Sequence, residues 1–438
     1  MEETPGRWTV SLSTSRTLRL LLVGFLALVL LIPILRIGKL VSERQGRAAA
    51  AVQEVSSKWG RSQVVIGPAL VVPFTERRTS VTPEGGQVAS ERSGNAIFLP
   101  KRLQAAGRVV SEIRRRGIFS VPVYRLTMNV EGEFGRPDAA SLGVDPAGFA
   151  WDRAHLVVGI SDVRAIQSQT EVRWNDRPVG FLPGTGGFGS NQTGIQAAVG
   201  ASPEAAGYRF SFPLTLNGSI ALSMAPFAER TVVSLESNSP DPSFQGVWLP
   251  TDRTVNADGF RARWDIPFLG RNYPQAWTDG SRPPLEASLF GVELVEPVDT
   301  YAMAERSLKY AVLFLLLTFA LIWLLEVLGR IRVHPIQYLL LGAALCLFYL
   351  LELSLSEHLG FGPAYAIASL AVVGMVTGYS WVIFRDRSRA ATVGGSAGGL
   401  YGYLYVLLRN EDYALLMGSV GLFLVLGTIM YVTRRVDW

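Results

Sequence analysis

Unbroken apolar runs alternate with polar stretches in a way that divides the chain. The first run is Leu20–Leu35, extendable to Ile37. Five more crowd the last third, at Tyr310–Leu328, Ile336–Leu355, Pro363–Phe384, Ala391–Leu408 and Tyr413–Val432. The last two hold 18 and 20 residues without a charge. A helix rising about 1.5 Å per residue crosses a hydrocarbon layer of about 30 Å in such a length, so each of the six runs predicts a membrane span. Only Arg409, Asn410, Glu411 and Asp412 separate the last two. Four polar residues make a turn, and its carboxylates belong in water because an unpaired charge in lipid is costly. Asp412 is placed to cap the helix that follows.

After the first run the pattern continues as an amphipathic helix over 37–59, with Ile37, Val41, Ala48, Val52, Val55 and Trp59 near one face. From Val64 to about Val298 the period changes to two. In "YRFSFPLTLNGSIALSM" the residues Tyr208, Phe210, Phe212, Leu214 and Leu216 alternate with polar ones, and Asn217-Gly218 predicts a tight hairpin turn before Ile220, Leu222 and Met224. "WNDRPVGF" predicts a second hairpin around Asn175-Asp176. "NADGFRARWDI" predicts a third, turning at Asp258-Gly259 with Phe260, Ala262, Trp264 and Ile266 on one face. Many short strands between Gly, Pro and Asn turns favour an antiparallel sandwich over a parallel α/β sheet. "LPGTGGFGSNQTG" reads as a loop.

The expected architecture is an α+β membrane protein. A β-rich, sandwich-like antiparallel domain is inserted between one N-terminal transmembrane helix and a five-helix C-terminal bundle. Its parts are an N-terminal segment 1–17, an anchor 18–37, a β-rich domain 38–309 that opens with the amphipathic helix, spans at 310–328, 336–355, 363–384, 391–408 and 413–432, and a tail 433–438. Basic residues orient it. Arg330, Arg332, Arg385, Arg387, Arg389, Arg434 and Arg435 fall on one side of the later spans, against Arg409 alone on the other. Both termini are thus expected in the cytoplasm and the β domain outside. Arg36, Lys39, Arg44 and Arg47 beside the first run oppose this locally, but the later loops and the even number of spans outweigh them. "AAA" at Ala48–Ala50 lies too far past the apolar run for a signal cleavage site, so the anchor is expected to stay.

Composition adds little beyond this division. Hydrophobic residues make up 49% and the mean hydropathy is +0.26, between soluble and wholly membrane-embedded chains. Of 41 basic residues only Lys39, Lys58, Lys101 and Lys309 are lysine, and the formal charge is +5. No basic run is interleaved with aromatics as a nucleic-acid surface requires. The cluster Arg114–Arg116 reads as a solvated strand end. One cysteine, Cys346, excludes an intramolecular disulfide, and its apolar surroundings make it a small packing residue.

Motifs for chemistry are few. "GTGGFG" at 184–189 matches a dinucleotide fingerprint literally but opens no helix. "GGSAG" at 394–398 matches a nucleophile elbow, with Ser396 central. A serine nucleophile needs a basic partner, and His155, His334 and His358 all lie outside its span. Close helix packing by glycines spaced four apart, Gly394/Gly398, Gly395/Gly399, Gly398/Gly402 and Gly374/Gly378, explains the stretch better. Two carboxylates fall inside spans. Glu326 stands four residues before Arg330, a favourable pair. Glu352 stands three residues from an end. Neither is at mid-span, where transporters keep polar sites. No Cys, His and carboxylate cluster has metal spacing. No catalytic, cofactor-binding or metal residue is assigned and no cofactor is expected. The bilayer is the expected partner; nucleic acid is not.

"YGYLYVLLRNEDYALLMGSVGLFLVLGTIMYVTRRVDW" at the C-terminus resembles the terminal signature of the CreD inner-membrane protein family. "LIPILRIGKLVSERQGRAAAAVQEVSSKWGRSQVVIGPALVVPF", "KYAVLFLLLTFALIWLLEVLGRIRVHPIQYLLLGAALCLFYLLELSLSEHLGF" and "SFQGVWLP" are similar to its anchor, first helical block and middle. The resemblance implies a Gram-negative inner-membrane protein with a periplasmic β domain, linked to envelope integrity and stress response, without established enzyme activity. Its partners would be unidentified periplasmic or inner-membrane proteins. A transporter or channel for a small envelope-related solute is the alternative, and an intramembrane hydrolase using Ser396 is the third.

Overall fold

The computed structural model describes residues 16–81, 87–188, 193–294, 300–329, 331–410 and 413–434. The chain divides into two compact units. Met1–Ala49 and Val298–Trp438 form one, and Ala50–Pro297 the other.

Seven helices form in the described residues: α1 Arg16–Trp59, α2 Thr300–Lys309, α3 Ala311–Gly329, α4 Pro335–Leu359, α5 Phe361–Phe384, α6 Arg387–Arg409 and α7 Ala414–Thr433. Each expected apolar run falls on one of them, with Tyr310 and Tyr413 one residue ahead of α3 and α7. By length and composition α1, α3, α4, α5 and α7 can cross a membrane. Five glycines and three tyrosines dilute the apolar character of α6 between Ala391 and Leu408, and it is not among these five. Local chemistry sets several ends. His334 accepts from the Ile336 N–H and Gln337 reaches back to the His334 N–H, so α4 starts with a reciprocal cap and Pro335 in its first turn. Asp386 accepts from the Ser388 N–H at the start of α6. The expected cap at Asp412, and its neighbour Glu411, lie outside the described residues.

The amphipathic continuation of the anchor is continuous with α1. Ile37 and Val41 are buried, while Val52, Val55 and Trp59 are half-buried. Helix α2 was not expected. It carries Glu305, Arg306 and Lys309, and buries only Met303, Ala304 and Ser307 along one stripe.

The other unit holds two sheets, mixed but mostly antiparallel. The nine-stranded sheet runs Pro242–Gly246, Phe290–Leu294, Ala221–Met224, Gln63–Val81, His155–Ile160, Gly194–Ala198, Leu182–Pro183. Strand Gln87–Phe98 also pairs with Gln63–Val81, and Ala276–Thr278 pairs with Gln87–Phe98. The eight-stranded sheet runs Asp252–Asn256, Gly259–Pro267, Arg230–Ser237, Arg102–Arg116, Phe119–Gly135, Gly207–Ser219, Glu171–Trp174, Arg177–Gly180. Two pairings are parallel: Gln63–Val65 with Leu222–Met224, and Arg102–Val109 with Arg230–Ser237. One core takes side chains from both sheets, among them Leu70, Ile97, Tyr124, Phe212 and Trp264. Each such large side chain contributes about 1.5–3 kcal/mol on burial.

The hairpin at Asn175-Asp176 forms, with both residues in the left-handed region, as a two-residue turn requires. The third hairpin also forms, but its turn is Ala257-Asp258, and Gly259 already pairs with Asn256. The first expected hairpin does not exist. Asn217 and Gly218 stay in the strand, opposite Arg125 and Tyr124. The chain turns after Ser219, with Ile220 at φ +65°, and passes into the other sheet. Gly218 is needed because the Tyr124 ring lies where a Cβ would stand. It serves close approach, not a turn.

Candidate functional site

Helix α4 carries a line of polar residues into the helical unit. Near its start, the Tyr338 hydroxyl donates to Glu326 Oε2 at 2.9 Å, and Arg19 Nη1 of α1 donates to Glu326 Oε1 at 2.7 Å. Glu326 thus reaches across to α1 and α4. Its expected partner Arg330 lies outside the described residues, and Arg19 and Tyr338 hold its two oxygens. Near the other end of α4, Glu357 Oε1 accepts from the Tyr301 hydroxyl of α2 at 3.1 Å and lies 3.6 Å from Arg44 Nε of α1. Tyr338 and Glu357 are 19 positions apart, about 28 Å along the helix. Two charged clamps therefore bracket the apolar length of α4, and one helix, α1, supplies a cation to each.

Glu352 lies between them, five positions or about 7–8 Å inside Glu357. It is 1% exposed. Oε2 accepts from the Ser307 hydroxyl of α2 at 2.8 Å. Oε1 has no hydrogen-bond partner, and no cation among the described residues forms an ion pair with it. Tyr349 of α4, Tyr365 of α5 and Tyr401 of α6 gather round Phe348 of α4 in the same part of the unit. The Tyr365 hydroxyl donates to the Tyr401 carbonyl at 2.6 Å. The hydroxyls of Tyr349 and Tyr401 are buried without partners. Rings close the cluster: Phe348 meets Tyr349 and Tyr365 edge to face and Tyr401 at a tilt, with centroids 4.3–5.3 Å apart. Buried polar atoms are nearly always hydrogen-bonded. An orphaned carboxyl oxygen beside two orphaned hydroxyls is therefore the most unusual chemistry among the described residues of the helical unit. Of this cluster the sequence marked out Glu352 as an intramembrane carboxylate, and Cys346 as a small packing residue. Ser307, Tyr365 and Tyr401 come from three other helices and carried no such signal.

Ser396 is half-buried on α6. His155 contacts the carbonyls of Arg153 and Gly186, His334 caps α4, and His358 is exposed, so none is its partner. Packing by small residues is realised at Gly394, where a Cβ would strike Thr377 of α5, and more loosely at Gly398, whose Cβ position is 3.9 Å from Val373. Gly374, Gly378, Gly395, Gly399 and Gly402 face open space. Cys346 packs toward α1, its thiol 3.8 Å from the Leu30 carbonyl.

The β unit has milder features. Arg114 lies 3.5 Å over the Trp59 ring and Arg116 pairs with Glu54, so the basic cluster at the hairpin end packs on the last turns of α1. Arg230 holds the Asp265 carboxyl below the usual carboxylate range. Burial pushes the Arg271 guanidinium down from its usual value, and the rings of Phe268 and Tyr273 flank it at 4.9 Å. An open groove of about 300 Å³ is lined by Arg102, Arg173, Arg209, Glu131, Glu133 and Asp176, whose charges oppose one another. Within the described residues no three His, Cys, Asp or Glu side chains group to hold a metal ion.

The family model described as inner membrane protein CreD matches residues 15–438. The inner membrane protein CreD of Escherichia coli (strain K12) is 31% identical over 417 residues, covering 94% of this chain and 91% of that one. An apolar anchor, a two-sheet unit and a helical unit with four further candidate spans are therefore those of a member, and the chain belongs to the CreD inner-membrane protein family.

Proposed function

We propose that this protein is a non-enzymatic, multi-pass inner-membrane component that supports cell-envelope integrity under stress, with its β unit in the periplasm and acting through protein partners there. The observation that carries this is the division of labour in the chain. A β unit with its own core sits in sequence between helices apolar enough to cross a membrane. The side is argued from the arginine distribution, which also puts both termini in the cytoplasm and favours six spans.

Survival under envelope stress is the test, in a strain lacking the gene and complemented by the full chain, with survival normalised to membrane-inserted protein. The wild type is expected to restore survival. An Asp258→Cys variant on a Cys346→Ala background is expected to react with an impermeant thiol reagent in spheroplasts. Full survival without the protein would remove the envelope role, and protection of Cys at 258 until lysis would place the β unit inside.

Transport of a small envelope-related solute is a second function, favoured by one observation: the carboxyl of Glu352 is buried in a helical bundle with no cation paired to it among the described residues. Intramembrane carboxyls commonly mark ion or proton pathways. Counterflow of solute in proteoliposomes, abolished by Glu352→Ala, is expected on that function alone.

A further inference from the structure

We propose that Glu352 is a proton-binding site, and that loss of its proton releases α2 from α4. The geometry is specific. Glu352 is 1% exposed, and its only hydrogen bond among the described residues comes from Ser307, itself fully buried on α2. Its second oxygen has no donor. An ionised carboxyl in this setting faces an apolar and aromatic wall, with no cation paired to it among the described residues, which is strongly unfavourable. The protonated acid is neutral and keeps the Ser307 contact. A proton also needs no cavity, in keeping with the tight ring packing of Phe348, Tyr349, Tyr365 and Tyr401.

The groups facing Glu352 are weak competitors for that role. From α2 they are Ser307 and the adjacent Arg306, whose Nη2 donates to Met303 Sδ at 3.0 Å. From α4 it is Tyr349, with Glu357 five positions further on, held by Tyr301 and Arg44. From α5 and α6 they are Tyr365 and Tyr401. From α3 the neighbour is Phe314, against Tyr401, and the carboxyl of that helix, Glu326, belongs to the opposite clamp. Leu30 of α1 touches Cys346. Thus the carboxyl is the acid of this cluster, and the tyrosine hydroxyls are its polar lining.

Helix α2 is the element this charge would move. It begins two residues after the boundary of the β unit, and its buried stripe is only Met303, Ala304 and Ser307. Tyr301 and Leu308 pack half-buried beside this stripe and the Tyr301 hydroxyl reaches Glu357, so α2 is held at its start by an exposed-side clamp and in its buried stripe by the Ser307–Glu352 contact. Ionisation of Glu352 is best relieved by letting water reach the carboxyl, and the shortest path is for α2 to lift. The proposal needs no solute and no envelope partner, so it stands or fails apart from both functions above.

Thiol labelling of the purified full chain in lipid nanodiscs tests it. Ala304→Cys, buried on α2, is compared with Glu305→Cys, exposed beside it, both on Cys346→Ala. Their ratio cancels the intrinsic pH dependence of thiols. Between about pH 5 and about pH 9 the ratio is expected to rise about tenfold or more in the wild type. In Glu352→Gln, which mimics the protonated acid, it is expected to stay low and flat. Ser307→Ala is expected to raise the ratio at low pH. Infrared difference spectra supply an independent measure: a carboxylic-acid C=O band that bleaches as pH rises, absent in Glu352→Gln. A flat wild-type ratio, the same rise in Glu352→Gln, or no titrating band would each overturn the proposal. So would suppression of the rise by sodium in place of choline, which would make the ligand a metal cation.

Discussion

Single charges matter in the helical unit because few groups answer them. Glu326 is buried, and Arg19 is its cation, with one third of the Arg19 side chain exposed. Removing one partner of a buried pair leaves an uncompensated charge, about 3–5 kcal/mol when both are fully buried. Arg19→Leu is therefore expected to destabilise the protein by about 2–3 kcal/mol, the exposure of Arg19 lowering the figure. The double variant Arg19→Leu/Glu326→Gln is expected to recover most of this, because Gln is neutral and its carbonyl still accepts from Tyr338. Unfolding in a detergent series measures both, and equal loss in the single and double variants would show that the arginine acts by packing alone. Gly218 makes the complementary point about reading residues one at a time. "NG" is a strong turn signal, yet here the glycine makes room for Tyr124, whose hydroxyl donates to the Ala221 carbonyl at 2.8 Å. A ring arriving from a neighbouring strand leaves no mark on the local sequence.

At the level of elements, what was legible is what is local. Apolar runs gave the positions of the long helices, and alternation gave strands such as Gly207–Ser219, which buries Tyr208, Phe210, Phe212, Leu214 and Leu216 as expected and then Asn217, Gly218 and Ser219 in succession. Parallel pairings of Gln63–Val65 and Arg102–Val109 join segments more than a hundred residues apart, and no periodicity encodes the partner. Likewise Glu352 was visible as an intramembrane carboxyl, but its partners on α2, α5 and α6 were not. The glycines of α6 separate packing from chemistry in the same way. Five of them lie in one helix, yet among them only Gly394 and Gly398 have a neighbour near the Cβ position. Gly394→Leu is expected to cost about 1–3 kcal/mol by forcing Thr377 aside and to lower the level of folded membrane protein. Gly395→Leu and Ser396→Ala are expected to change stability by less than about 0.5 kcal/mol. Immunoblotting of membranes and envelope-stress survival read the result. Loss of survival in Ser396→Ala at normal protein level would restore a catalytic role to that serine.

For the whole molecule the open quantity is the number of crossings, and it turns on α6. Taken alone, this helix is a poor span: its glycines and tyrosines make it far less apolar than α3 or α7. In the folded unit it is differently placed. Val393, Gly394, Ala397, Tyr401, Leu404 and Leu408 are buried, and Tyr401 contacts Phe314 of α3 and Phe348 of α4. A helix inside a bundle answers to neighbouring helices more than to lipid, so small residues and tyrosines that weaken insertion in isolation strengthen packing there. The prediction is that α6 crosses the membrane as part of the bundle. Ser388 and Asn410, just inside its start and just beyond its end, are both exposed and lie about 33 Å apart along the helix axis, enough to reach opposite surfaces. On a Cys346→Ala background, Asn410→Cys is expected to react with an impermeant thiol reagent in intact spheroplasts. Ser388→Cys is expected to react only after permeabilisation. Labelling of both from the same side would make α6 a helix that returns without crossing. The chain would then cross five times, and its two ends would lie on opposite faces of the membrane.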